Sequence, residues 1–100
     1  LDLNKEIRQA VTTGRVILGS DKSLKALKLG DAKLVLLALN CPDAVRGDIK
    51  QYAKLAGVPV HFYPGDSLEL GHACGKPFLV NVVAVLDPGS SNILNLGAAK

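Results

Sequence analysis

The feature that most constrains this chain is an alternation of two hydrophobic periods. Leu3, Ile7, Ala10 and Val11 fall at i, i+4, i+7 and i+8, one stripe of a helix that Gly14 closes. Val16-Ile17-Leu18 then reads as a short strand. Gly19-Ser20-Asp21 supplies a turn and N-cap for a second helix running to Gly30. Leu34 to Leu39 is a continuous apolar run, as expected of a strand covered on both faces. Asn40-Cys41-Pro42-Asp43 reads as loop and N-cap. Val45, Ile49, Tyr52, Ala53 and Ala56 mark a third helix ending at Gly57. Val58 to Tyr63 is a further strand, and Asp66 with Glu69 forms a capping-box signature for a short helix up to Gly75. Leu79 to Leu86 is the longest strand candidate. After the turn Asp87-Pro88-Gly89-Ser90, Asn92 to Leu96 is expected to return as its hairpin partner.

The resulting order, αβαβαβαββ, predicts an α/β protein: a three-layer α/β/α sandwich around a mixed sheet, mostly parallel in its centre. One hundred residues fit a single domain, 1–100, and neither a linker nor an internal repeat divides them. With 48% apolar and 21% charged residues, the composition excludes a disordered chain. The longest apolar run falls well short of the ~18 residues of a membrane span. The first thirty residues carry charges every few positions, so no secretory signal is expected there. Cys41 and Cys74 lack CxxC spacing and read as free thiols of a reducing, cytoplasmic compartment.

Catalytic signatures are missing. The sequence holds no Walker A loop, GxGxxG, HExxH or GxSxG, so neither catalysis nor a nucleotide cofactor is expected. Cys41, His61, His72 and Cys74 are the possible zinc ligands. However, they form no C-x₂₋₄-C or H-x₃₋₅-H pair, and on a helix His72 and Cys74 point about 200° apart. No metal is expected.

The charge is more informative. The net charge is +3, and all of the excess lies in residues 1–50, densest at Lys22, Lys25, Lys28 and Lys33. Lys22, Lys25 and Lys28 span ~120° of a helical wheel, with Leu24 and Leu27 outside that arc. This face suits either a polyanionic partner or simple solvation. In open α/β sheets ligands collect where strands end, here Gly19 to Ser23, Asn40 to Asp43 and Pro64 to Ser67. The first of these joins a helix N-terminus, favourable to phosphate, to the lysines that follow. Phe78, behind Gly75-Lys76-Pro77, is either a stacking platform for a base or the first core residue of a strand.

Taken together, these stretches resemble the archaeal and eukaryotic-type large-subunit ribosomal protein 30e family, within the superfamily that binds kink-turn RNA. The matching residues are Gly14-Arg15-Val16-Ile17-Leu18-Gly19, Lys22-Ser23, Ala32-Lys33-Leu34-Val35 and Asp48-Ile49-Lys50-Gln51-Tyr52-Ala53. Leu68-Glu69-Leu70-Gly71, Gly75-Lys76 and Asp87-Pro88-Gly89 continue the likeness across nearly the whole chain. The resemblance implies a structural component of the large ribosomal subunit, not an enzyme. Its partners would be ribosomal RNA at a kink-turn-like bent loop and neighbouring ribosomal proteins, with no membrane or small-molecule substrate.

Carried over residue by residue, the resemblance implies RNA contacts from Gly19, Ser20, Asp21, Lys22, Ser23 and Lys25, from Asn40, and from Lys76, Pro77 and Phe78. It also implies an exposed Phe78 ring. Relatives in other small ribonucleoproteins carry an Asn-Glu pair where this chain has Asp21-Lys22, and that departure favours the ribosomal branch. The alternatives are a kink-turn adaptor of another small ribonucleoprotein or, in a different class, a small α/β nucleotide-binding or enzymatic domain.

Overall fold

A computed structural model describes residues 3–94. In chain order the elements are α1 (Leu3–Thr13), β1 (Arg15–Leu18), α2 (Ser20–Leu29), β2 (Leu34–Leu37), α3 (Asp43–Ala56), β3 (Val60–Phe62), α4 (Ser67–Ala73) and β4 (Val82–Asp87). The helix boundaries follow the expected punctuation. Gly30 and Gly57 close α2 and α3 in the left-handed conformation. The capping box opening α4 is complete: Asp66 accepts from the Glu69 N–H at 2.9 Å, and the Asp66 N–H donates to Glu69 Oε1 at 3.3 Å.

The sheet is mixed and covered on both faces. Ile7 and Ala10 of α1 and Leu70 and Ala73 of α4 bury Leu34, Leu36, Val83 and Val85 on one side. On the other, Ala26 and Leu27 of α2 and Ile49 and Ala53 of α3 bury Val35, Leu37, Val82 and Ala84. β2 is therefore buried at every position, as a continuous apolar run requires.

Strand order is β1-β4-β2-β3, and here one expectation is corrected. β2 and β3 pair in parallel, but the central ladder, β4–β2, is antiparallel, and so is β1–β4 at the edge. The three strands joined through α2 and α3 do share a direction. The last strand, running the other way, inserts between the first two. A strand–helix alternation fixes direction across long crossovers but not lateral order. The short α4 and the irregular stretch after it return the chain to the end of the sheet where β3 finished.

The same insertion removes the expected terminal hairpin. Both sides of β4 are already occupied by β1 and β2, so no ladder is open to a hairpin partner. Asn92 instead donates its N–H to Glu6 Oε1 at 2.5 Å, and Ile93 is buried in the α1-side core. Positions 95 and 96 of that expected strand lie outside the described residues.

Candidate nucleic-acid interface

The antiparallel entry of β4 gathers four segments at one end of the sheet. Leu18 pairs with Val83 and Leu37 with Val82, so β1 and β2 end where β4 begins. Main-chain bonds continue past the strands: Gly19 N–H to Val82 O at 2.9 Å, Ala38 N–H to Asn81 O at 2.9 Å, and Leu39 N–H to Gly65 O at 2.9 Å. The start of α2, the turn at Leu39-Asn40, the Pro64–Ser67 turn and the loop before β4 therefore form one rim.

Gly19 makes the first corner with φ of 110°, a conformation closed to L side chains, and opens α2 with no side-chain cap. The first-turn N–H groups of α2 are thus left to an outside acceptor. Asp21, Lys22 and Lys25 are exposed around this turn, and Ser20 is half-buried. Among the described residues, none of Lys22, Lys25 and Lys76 is held in a salt bridge. Lys28, further along the same face, turns instead over the Tyr52 ring, 4.9 Å from its centroid.

Ser23 is the correction among the expected contacts. It is fully buried, because it lies on the stripe shared with Ala26 and Leu27 that packs on the sheet, and its hydroxyl finds no partner. Its side chain contributes nothing to an outward surface. Asn40 is exposed, but both its amide oxygen and its amide nitrogen are engaged by Ser67. Oδ1 accepts from the Ser67 N–H at 2.8 Å, and Nδ2 donates to Ser67 Oγ at 3.3 Å. Asn40 thereby ties the end of β2 to the first turn of α4.

The fourth segment settles the orientation of Phe78. The expected strand from Leu79 begins only at Val82, since β1 and β2 offer no partners earlier. The residues before it form a loop pinned by Lys76 N–H to Gly71 O and Val80 N–H to Ser67 O, both 3.0 Å. Phe78 is 51% exposed and Leu79 63%, with Pro77 exposed and Lys76 half-buried beside them. Leu39 also lies open on this rim, at 57%. Leu39 and Leu79 were not legible as surface residues, because Leu39 closes and Leu79 opens an apolar run that reads as strand. Gly71 could have been noticed: a glycine inside a helix costs about 1 kcal/mol relative to Ala and signals a close approach.

Chemically, the rim offers free cations, unpaired helix N–H groups and exposed apolar side chains. The concavity beside it, between α2 and α3, measures about 40 Å³. That is room for a water molecule or so, far short of a nucleotide. Among the described residues, no three His, Cys, Asp or Glu side chains come together as a metal site. Both cysteines are buried free thiols.

Comparison with known proteins agrees with this architecture. The model of the ribosomal protein L7Ae/L30e/S12e/Gadd45 family matches residues 2–95. The large ribosomal subunit protein eL30 of Methanopyrus kandleri is 52% identical over 93 residues, covering 93% of this chain and 85% of that one. The eL30 of Methanocaldococcus jannaschii is 53% identical over 96 residues, covering 96% and 87%. A solved structure of a protein with unknown function from Bacillus halodurans C superposes with a TM-score of 0.85. At 22% identity over 99% of this chain and 98% of that one, it shares the fold.

Proposed function

The chain belongs to the ribosomal protein L7Ae/L30e/S12e/Gadd45 family, and we propose that its rim is the surface by which it grips ribosomal RNA at a kink-turn-like bent internal loop. Relatives about half identical over nearly their whole length are large ribosomal subunit proteins. The protein is accordingly a structural, non-catalytic component of the large subunit in the cytoplasmic ribosome.

The observation that carries the RNA reading is the meeting, at the start of β4, of an uncapped helix N-terminus with free lysines and an exposed aromatic loop. Gly19, Ser20, Asp21, Lys22 and Lys25 hold phosphates and base edges of the bend. Asn40 meets it with its remaining amide hydrogen, and Lys76, Pro77 and Phe78 cover an unstacked base.

Titration with an asymmetric internal-loop RNA across a salt series tests this reading. Three to five phosphate contacts give a log–log salt slope of roughly −2 to −4.5. Lys22→Ala and Lys25→Ala each weaken binding while leaving the melting temperature unchanged, as expected of exposed lysines worth about 0.5 kcal/mol or less to stability. Equal affinity for a regular duplex of the same length refutes the reading.

A further inference from the structure

Beside the rim, on the α1–α4 face, lies a broad groove of about 570 Å³ lined by Asn4, Lys5, Arg8, Tyr63, Glu69 and His72. Its floor is fixed. The Tyr63 hydroxyl donates to Asn4 Oδ1 at 2.6 Å, joining the end of β3 to the start of α1. Arg8 forms its boundary with the rim. A Cβ built on Gly75 would stand 2.7 Å from Arg8 Nε, 2.8 Å from Cζ and 3.1 Å from Nη2. The guanidinium thus lies flat across the Gly75 backbone, next in sequence to Lys76.

Burial pushes the Cys74 thiol up to about 11, opposed by the charges of Lys76 and then Arg8. Both cations therefore flank the same buried sulfur. Arg8 is exposed and, among the described residues, carries no salt bridge. Among the described lining residues the one carboxylate, Glu69, is engaged in the α4 capping box.

We infer that Arg8 carries the RNA interface from the Lys76–Phe78 loop onto the α1–α4 face, holding a backbone phosphate of one stem that leaves the bend. The inference rests on the RNA reading of the rim. A planar guanidinium seated on backbone presents its outer N–H fork without further ordering, and that fork matches two phosphate oxygens. The occupant is a phosphodiester strand because, among the described lining residues, two permanent cations, Lys5 and Arg8, face the single carboxylate of Glu69. The groove is also continuous with the loop that meets the bend. Gly75, required for the seat, is the residue that makes room for this arginine.

The test compares Arg8→Ala, Arg8→Lys and Lys22→Ala on one bent-loop RNA with both stems intact, and on RNAs with either stem trimmed. With intact stems, Arg8→Ala weakens binding about fivefold and lowers the salt slope by about 0.9. Arg8→Lys, which keeps the charge and the aliphatic stem, recovers most of the slope. Trimming one particular stem abolishes the difference between Arg8→Ala and the parent chain, whereas Lys22→Ala weakens binding to every RNA. If Arg8→Ala binds the intact RNA like the parent while Lys22→Ala does not, the inference fails and the rim stands. If neither variant loses affinity, both fail. A loss of equal size on all three RNAs also overturns the inference, because Arg8 would then act through the loop and not through a stem.

Discussion

A Cβ on Gly71 would stand 2.1 Å from the carbonyl oxygen of Phe78. Helix α4 and the loop before β4 are in backbone contact there, and that contact fixes where Phe78 emerges. Two effects compete in Gly71→Ala. Helix propensity favours alanine by about 1 kcal/mol, while the clash with main chain costs about 1–3 kcal/mol. The clash prevails, so the variant melts below the parent and binds RNA more weakly. A raised melting temperature would show that the approach is not close.

Asn40 allows its structural and recognition roles to be separated. Asn40→Ala leaves the Ser67 N–H without its acceptor and costs about 1 kcal/mol of stability. Asn40→Asp keeps the acceptor and places a negative charge favourably near the start of α4, so the fold is retained. The same charge faces phosphate and weakens RNA binding by about tenfold. Melting curves and RNA titrations on both variants check this. Parent-like binding by Asn40→Asp would reduce Asn40 to a strut.

Phe78→Ala measures the value of an exposed ring. Loss of a stacking platform lowers RNA affinity by about 1–3 kcal/mol. A ring 51% exposed leaves little cavity behind, so the unfolding free energy falls by far less than the ~3–5 kcal/mol of a core phenylalanine. Chemical denaturation and RNA titration on the one variant decide the matter.

Cys74 makes the fold sensitive to alkali. Its thiol is raised from 9.0 to about 11, chiefly by burial, so the unfolded chain ionises first. The stability it contributes is complete below pH 9 and is lost as pH rises through about 11. Burial raises Cys41 in the same direction. Melting temperature followed from pH 8 upward falls across that window, and Cys74→Ala flattens the slope. At neutral pH, alkylation of Cys74 awaits unfolding.

Local patterns made the helices legible, because their caps and apolar stripes lie within a few residues of each other. Asp66 with Glu69, and Gly30 after Leu27, are contacts a sequence displays directly. The position of β4 is different: nothing in Val82 to Leu86 distinguishes a strand at the edge from one in the middle. The rim divided along the same line. Lys22 and Lys25 were legible from the helical wheel, and the same wheel places Ser23 close to the buried stripe of Ala26 and Leu27. That Phe78 faces outward depended on where the β4 ladder begins, which is set by β1 and β2, strands far away in sequence. Arg8 lay outside every motif, since its role arises only from the seat on Gly75.

Of the four described strands, β4 is synthesised last, yet it lies inside the sheet between β1 and β2. Until Val82 to Asp87 have emerged, β1 and β2 have no neighbour between them, and the apolar faces of α1 to α4 have only a split surface to cover. The nascent chain therefore completes its core in one late step and not by sequential growth from the N-terminus. The proposed RNA rim, built on the start of that strand, takes shape in the same step, so a chain that has not yet docked β4 does not present it.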